Sequence, residues 1–589
     1  MSKNHFHAGY TLTMARHRYN PIDSAIRRSG VFPTPLPFAK KACEYLENLL
    51  GNDALSSGKY RLWDMAAGTG NLELFLPKEF WQYCYLSTLE QKDVEVLEKQ
   101  FPTASVFRYD YLNNDVEQLG TDGRRQTADG GREDGEAAEI CRLPAALKND
   151  LANPEIKWII LVNPPYATAQ EAGLTGKSKE GVSDTEIRKQ MHLDGLGEVS
   201  RELYVQFLYR IMNEFKHRQA LLGLFAPLKY LVSANYQRFR DNVFHAAFHS
   251  GFLFSSENFG GTSKKKRFPV SFILWDIHSE LPGRSITEQE IDLDILDNTT
   301  HKIGTKTVKS VNRSNFLSRW IKRPRGIKIF PPFSSALTIK SGNVDTRNRI
   351  AEGFLASLMC PGNELQNQQQ TAFLSGPQVS AGALSVTPEN FEQAVVVFAA
   401  RRIPKDTWSN HVDQLMKPNR EPAPQFISDC AVWSLFDNKN QTVSLGEVLY
   451  QGQIYKIVNH FFPFLIFPAK AQRTQRGEKI TWCPSCLCDN NDNNNSFAAN
   501  WLAQQQLSEE AQAVLDSAKQ IYQLYFAHFS EPHDAGWYQI QKALQGAKLG
   551  DELLADLKPQ HEQLKAKILP LLYDYGILHE TFPSVHGVV

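Results

Sequence analysis

Apolar residues in the first 300 positions follow two patterns that alternate along the chain. Short continuous runs at Tyr60–Trp63, Tyr83–Leu89, Trp158–Val162, Leu221–Phe225 and Ser271–Trp275 end in turn residues and predict buried strands. Phe38–Leu50 and Glu202–Phe215 are amphipathic and predict helices. Strands that are apolar throughout, alternating with helices, predict an α/β fold whose parallel sheet is covered on both faces.

Two stretches break the rhythm. Residues 120–139 (GTDGRRQTADGGREDGEAAE) are glycine-rich and charged with no apolar period, and predict a mobile insertion. Ala167–Gly197 is polar and glycine-rich and predicts a loop beside a site. The pattern changes after Ile277. Mixed short strands follow two proline-rich stretches, and from Ser508 onward the pattern is helical. The expected organisation is a first domain over residues 1–300 with an insertion near 113–157. A second, α+β domain is expected over 301–500 and a helical region over 501–589.

A composition of 42% hydrophobic and 22% charged residues excludes bulk disorder, collagen and a coiled rod. Lysine plus arginine and aspartate plus glutamate both count 64, so a nucleic-acid binder of this composition must segregate its charge. One such segregation exists: His301–Lys328 holds nine lysines and arginines and no acid. Eight cysteines are too few for a disulfide scaffold. The cluster Cys483-Pro484-Ser485-Cys486-Leu487-Cys488 lacks the second pair of a structural zinc site, so no metal is expected. The first residues, MSKNHFHAGYTLTMARHR, have no apolar signal core, and no run approaches the roughly 18 apolar residues of a membrane span. A soluble protein of a reducing compartment is expected, with no membrane partner.

Candidate chemistry gathers at strand ends. The strand Tyr60–Trp63 runs into Asp64-Met65-Ala66-Ala67-Gly68-Thr69-Gly70-Asn71, where glycines at a strand-to-helix turn let a ligand approach the backbone. The third glycine of a dinucleotide fingerprint and the Gly-Lys-Ser/Thr of a phosphate loop are both missing. The second strand ends at Glu90, an acid able to accept two ribose hydroxyls, and the third leads to Asp110, which can accept an adenine amino hydrogen.

The apolar strand Trp158–Val162 ends in Asn163-Pro164-Pro165-Tyr166. Successive prolines stop a strand and fix the turn. An exocyclic amine on a nucleobase is a poor nucleophile because its lone pair is conjugated into the ring. The Asn163 side-chain oxygen and the Pro164 carbonyl can each accept one N–H and aim the lone pair, while Tyr166 can stack on the flat ring. Positioning and electrostatics then drive an in-line displacement, and no cysteine need act.

The turn at Asp64 resembles motif I of S-adenosylmethionine (SAM) methyltransferases. Upstream, Gly30-Val31-Phe32-Pro33-Thr34-Pro35 is similar to motif X. Together with Asn163–Tyr166, these residues resemble the γ class of N6-adenine DNA methyltransferases over about residues 28–277. Leu221–Pro227 is similar to motif VI and Phe268–Phe272 to motif VIII. Trp408–Gln414 also looks like γ-class proteins with large C-terminal halves, without an assignable role.

The resemblance implies a Rossmann-like class I methyltransferase domain with a mostly parallel sheet, followed by a C-terminal α+β recognition domain and a helical tail. It implies SAM as cofactor, held by Thr34, Asp64, Ala66, Gly68, Gly70, Glu90, Asp110 and Asn163, and catalysis by Asn163, Pro164, Pro165 and Tyr166. Phe268 is a candidate to stack on a flipped base. Lys264, Lys265, Lys266, Arg267, Arg319, Lys322, Arg323 and Arg325 are candidates for the DNA backbone. Double-stranded DNA is the implied partner, with separate restriction or defence subunits as further partners and the bacterial cytoplasm as location. The 120–139 insertion departs from a compact family member. Asn-Pro-Pro-Tyr also occurs in protein glutamine and some RNA methyltransferases, and cytosine-N4 enzymes more often have serine in place of Asn163, so these substrates stay open. The short stretch before motif X makes a fused nuclease domain unexpected.

Overall fold

The structure, a computed structural model, describes residues 33–51, 53–116, 143–166, 185–259, 267–277, 285–326, 348–379, 382–441, 447–450, 452–456, 458–464, 496–529 and 535–579. The described residues form two compact units. One runs to Asn312 and also takes in Thr407–Val412; the other comprises Arg313–Asp406 and the residues from Asp413 onward.

The first unit contains, in chain order, helix α1 (Leu36–Leu50), β1 (Tyr60–Asp64), β2 (Cys84–Thr88), α2 (Gln91–Gln100), β3 (Ser105–Arg108), α3 (Ala145–Ala152) and β4 (Lys157–Val162). Then come α4 (Glu186–Leu193), α5 (Leu203–Phe215), β5 (Ala220–Pro227), β6 (Ala247–Ser255), β7 (Pro269–Asp276), β8 (Glu290–Leu296) and β9 (Lys302–Lys309). The strands form one nine-stranded sheet in the order β3-β2-β1-β4-β5-β7-β6-β8-β9. From β3 to β5 every pairing is parallel; β7 then runs antiparallel between β5 and β6.

The centre of the sheet explains the apolar runs. In β4, Trp158, Ile160 and Val162 enter one buried cluster, while Ile159 and Leu161 enter the cluster on the other face. A strand covered on both sides has no polar face, so its sequence does not alternate. Helix α5 contributes to the first cluster through Leu208, Ile211 and Phe215, and α1 to the second through Phe38, Ala42 and Leu46. Each such large apolar side chain contributes roughly 1.5–3 kcal/mol on burial.

Three expectations need correcting. The turn after β1 does not open an α-helix. It passes into short 3₁₀ segments, Glu73–Phe75 and Lys78–Tyr83, because Pro77 falls between them and disfavours helical backbone at the residue before it. The stretch expected as one loop over Ala167–Gly197 contains α4, whose first turn is capped by the Thr185 hydroxyl accepting the Arg188 N–H. The first unit extends beyond residue 300, because β8 and β9 form a hairpin on the edge of its sheet. Residues 407–412 also belong to it: Val412 is buried in its core and Trp408 packs against that core.

The second unit has a four-stranded sheet built from β10 (Ala356–Met359), β11 (Ala372–Leu374), β12 (Ala383–Val386) and β13 (Asn440–Gln441), in the order β12-β10-β11-β13. Helices α6 (Phe391–Arg402), α7 (Pro424–Leu435), α8 (Phe497–Leu502), α9 (Glu509–His528), α10 (Trp537–Ala547) and α11 (Asp551–Asp574) complete it. The terminal helices are not a separate region. Ile521 and Tyr522 of α9, Ile540 of α10 and Leu564 of α11 share one buried cluster with Phe398 of α6 and Val432 of α7. Among the described residues no helix is long and apolar enough to cross a membrane.

Candidate functional site

The ends of β3, β2, β1 and β4 stand side by side on one edge of the sheet, since these neighbours are all parallel. Asp110, Glu90, Asp64 and Asn163 follow or end these four strands in that order. With strands about 4.8 Å apart, the row spans roughly 15 Å, and open parallel sheets bind ligands beyond this edge.

At β1, Asp64 is buried, and its Oδ1 accepts the backbone N–H of Ala66 at 2.7 Å. Gly68 and Gly70 both have positive φ, at 53° and 72°. Their surroundings differ. A Cβ on Gly70 would fall 2.3 Å from the Phe101 ring, so packing demands glycine there. A Cβ on Gly68 would meet only the Ala66 carbonyl, at 3.9 Å, which leaves the backbone of this turn open to a ligand.

Glu73, which the sequence reading did not single out, is fully buried, and neither carboxyl oxygen has a hydrogen-bond donor among the described residues. Burial raises its pKa well above the ordinary value, and the charge of Asp64 raises it further. Burial also raises that of Asp64, against the Ala66 N–H and Glu73. Burial thus favours the neutral form of both carboxyls, and the charge of either one would raise the other further.

Glu90 lies exposed at the end of β2. Its carbonyl accepts from Asp93 and Val94 at the start of α2, and its side chain takes no part in the cap. Asp110 is more committed. Its Oδ1 accepts the Leu112 N–H at 3.0 Å and its Oδ2 the Asn113 side-chain amide at 2.8 Å.

The Asp110 turn is anchored from below by Arg210 of α5, a second residue that the sequence did not reveal. Its guanidinium donates to the carbonyls of Tyr111 and Asn114 at 2.6 and 2.7 Å, to the Tyr109 hydroxyl at 2.9 Å and to Glu214 at 2.7 Å. It also lies 4.4 Å from the Tyr111 ring centroid.

At β4, Pro164 is buried while Asn163, Pro165 and Tyr166 are half-buried. The Asn163 amide nitrogen donates to the Thr34 hydroxyl at 2.8 Å, and the Tyr166 hydroxyl donates to Asn163 Oδ1 at 2.7 Å. The Tyr166 ring meets Tyr204 and Phe259 edge-on, at 6.3 and 6.1 Å between centroids. Thr34, expected as a cofactor contact, thus has its hydroxyl on Asn163, and its carbonyl accepts from the Asn71 amide at 2.8 Å.

Phe268 is half-buried, and its backbone exchanges hydrogen bonds with Ser256. Arg267 pairs with Glu257 at 3.5 Å. Arg319, Lys322, Arg323 and Arg325 are exposed, and Lys322 pairs with Glu389 at 3.2 Å. Lys264, Lys265, Lys266, residues 30–32 of the motif X region, residues 120–139 and the 483–488 cysteines lie outside the described residues. The basic run from residue 302 is not one free surface. Lys302 and Lys309 pair with Asp294 and Glu290 of β8, each at 2.6 Å, and Lys306 is buried.

No protein-family model matches the chain, and no curated protein matches it. Among solved structures it is similar to the DrdV–DNA complex, with 15% identity, 60% of this chain and 37% of that chain covered, and a TM-score of 0.34. It is also similar to a modification subunit of a putative type I restriction enzyme from Vibrio vulnificus YJ016 (15% identity, 49% and 50% covered, TM-score 0.29). A third likeness is to the Type IIL restriction-modification enzyme MmeI in complex with DNA (8% identity, 94% and 80% covered, TM-score 0.33). The chain thus spans half or less of the length of the first two.

Proposed function

We propose that this chain transfers a methyl group from SAM to the exocyclic N6 amine of adenine in a specific double-stranded DNA sequence. The observation that carries the reading is the Asn163-Pro164-Pro165-Tyr166 turn at the end of β4, whose Asn163 Oδ1 accepts a hydrogen bond from a hydroxyl. The turn adjoins, across the β1–β4 pairing, the Gly68 turn that leaves backbone open to a ligand.

In this reading Glu90 accepts the ribose hydroxyls, Asp110 receives the adenine amino group of the cofactor, and the turn from Asp64 through Ala66, Gly68 and Gly70 carries its methionine end. When bound, SAM supplies an electrophilic methyl group whose carbon–sulfur bond breaks in line with the attacking nitrogen. Asn163 Oδ1 and the Pro164 carbonyl accept the two amine hydrogens and turn the nitrogen lone pair toward the methyl. The surplus proton leaves to water after transfer. Tyr166 stacks on the target base once it is extruded from the duplex, an extrusion that costs a few kcal/mol, and Phe268 is a second stacking candidate. Lys264–Arg267, Arg319, Lys322, Arg323 and Arg325 hold DNA phosphates. A separate restriction or defence subunit is the further partner proposed.

The test is incubation of the chain with isotope-labelled SAM and, separately, unmethylated duplex DNA, total RNA and a protein extract, followed by mass spectrometry of the digests. Label in N6-methyladenine of duplex DNA supports the reading. Label in N4-methylcytosine overturns the choice of base, and label in RNA or methylglutamine with DNA unlabelled overturns the reading.

A further inference from the structure

Asn163 can present either its oxygen or its nitrogen to a bound amine, because the two ends of a primary amide have nearly the same shape. Only the oxygen accepts an N–H. A site that works through this residue therefore needs hydrogen bonds that fix which way round the amide lies, because Asn163 follows the last residue of β4 and the ladder of the strand does not reach its side chain.

We infer that Thr34 is a positioning residue for Asn163, holding the amide nitrogen so that Oδ1 faces the target amine. This rests on the proposed function, through the role given there to Asn163. Thr34 Oγ1 receives the Asn163 amide hydrogen at 2.8 Å, across 129 positions of sequence. On the other side of the amide, Oδ1 is met at 2.7 Å by the Tyr166 hydroxyl, which marks where a donor is accepted.

The support for Thr34 is rigid. Proline stands on both sides of it, at positions 33 and 35, so its backbone is confined to extended conformations. Helix α1 starts directly afterwards, with Pro35 at φ −63° as its N-cap. Thr34 is 4% exposed, and its carbonyl is held by Asn71 from the β1 turn. Asn163 is likewise followed by two prolines. A residue between two prolines thus meets a residue followed by two prolines through one hydrogen bond, and the orientation of the amide is set before any substrate arrives. Preorganised polar groups of this kind are effective because the amide itself need not turn during reaction.

The test compares Thr34→Val, which keeps the shape and removes the hydroxyl, with Thr34→Ser, which keeps the hydroxyl. Single-turnover methylation of unmethylated duplex DNA, SAM affinity by calorimetry and thermal stability are measured for both. T34V is expected to slow transfer by at least about tenfold, the scale on which lost supporting hydrogen bonds act in other sites. SAM affinity and melting temperature should stay close to wild type, and T34S should recover most of the rate. A T34V variant that transfers as fast as wild type, or faster, overturns the inference, since a hydroxyl donating to Oδ1 would compete with the substrate. Loss of SAM affinity with an unchanged rate overturns it too and returns Thr34 to the cofactor. If the wild-type chain methylates no duplex DNA, the proposed function falls and takes this inference with it. An active wild type with an indifferent T34V sinks this inference alone.

Discussion

The hydroxyl of Tyr166 donates to Oδ1 of Asn163 across 2.7 Å, three residues apart in the same turn. The acceptor proposed for the target amine thus already receives one donor. An amide oxygen has two lone pairs and the hydroxyl holds one of them; the expectation is that the incoming amine takes the place of the hydroxyl, while the ring remains available for stacking. Tyr166→Phe is expected to lower KM for DNA by about two- to tenfold, the net worth of one neutral hydrogen bond. Tyr166→Ala should lose the ring as well, and base stacking is worth about 1–3 kcal/mol. Asn163→Ala removes the acceptor itself and should cost about 2.7–4 kcal/mol of transition-state stabilisation. Steady-state kinetics on the three variants decide it. A Phe variant as impaired as the Ala variant would show that the hydroxyl assists transfer.

The buried pair of Asp64 and Glu73 gives the first unit a pH dependence of defined sign. Both carboxyls are raised above their ordinary values of 3.8 and 4.5, with burial as the leading cause. The folded chain thus holds protons that the unfolded chain releases. This contribution to stability is fully present below the unfolded values and is lost as pH rises toward the folded ones, at up to about 1.36 kcal/mol per pH unit for one proton. Glu73→Gln keeps the shape of the side chain and cannot ionise. It should flatten the fall in melting temperature between about pH 5 and pH 7. An unchanged slope would mean that Glu73 is ionised in the folded chain.

What could be read from sequence follows from the range of each signal. Strand β4 was legible because burial on both faces leaves no polar position in Trp158–Val162. The Asn163 turn was legible because its chemistry is contiguous. Arg210 was not: it supports the Asp110 turn from about a hundred residues away, and a single arginine in α5 carries no local mark. The basic run after residue 301 misled for a related reason. Its acid-free stretch is real, yet the β8–β9 pairing sets Glu290 opposite Lys309 and brings Asp294 within reach of Lys302. The helix expected after β1 failed on Pro77, a local signal outweighed in the reading by the usual strand–helix alternation.

That register separates two sets of lysines and arginines experimentally. Arg319, Lys322, Arg323 and Arg325 are exposed, and the Lys322–Glu389 pair is too exposed on both sides to be strong. Neutralising these four should lower affinity for all duplex DNA and reduce the slope of log K against log salt by up to about 0.9 per lost phosphate contact. Neutralising Lys302 and Lys309, which already pair within their own hairpin, should change the slope little. Binding titrations at several salt concentrations test this. A larger effect from the hairpin pair would move the proposed phosphate contacts to β9.

The last prediction separates two acids that the sequence treats alike. Glu90 is exposed, and its side chain takes no part in capping α2, so it is available to a ligand without holding up the fold. Both oxygens of Asp110 already accept hydrogen bonds from its own turn, which Arg210 pins from beneath. Glu90→Ala should therefore weaken SAM binding at an unchanged melting temperature. Hydrogen bonds to a charged acceptor are worth about 1.5–3 kcal/mol, so the loss should be on the order of ten- to a hundredfold in Kd. Asp110→Ala should weaken SAM binding and also lower the melting temperature, because the turn loses two internal acceptors. Asp110→Asn keeps one oxygen for Leu112 and should recover stability before affinity. Calorimetric titration with SAM, alongside thermal melts of the three variants, reads both quantities. Unchanged SAM affinity in Glu90→Ala would remove Glu90 from the proposed site, and a loss of stability equal to that of Asp110→Ala would make it a structural acid instead.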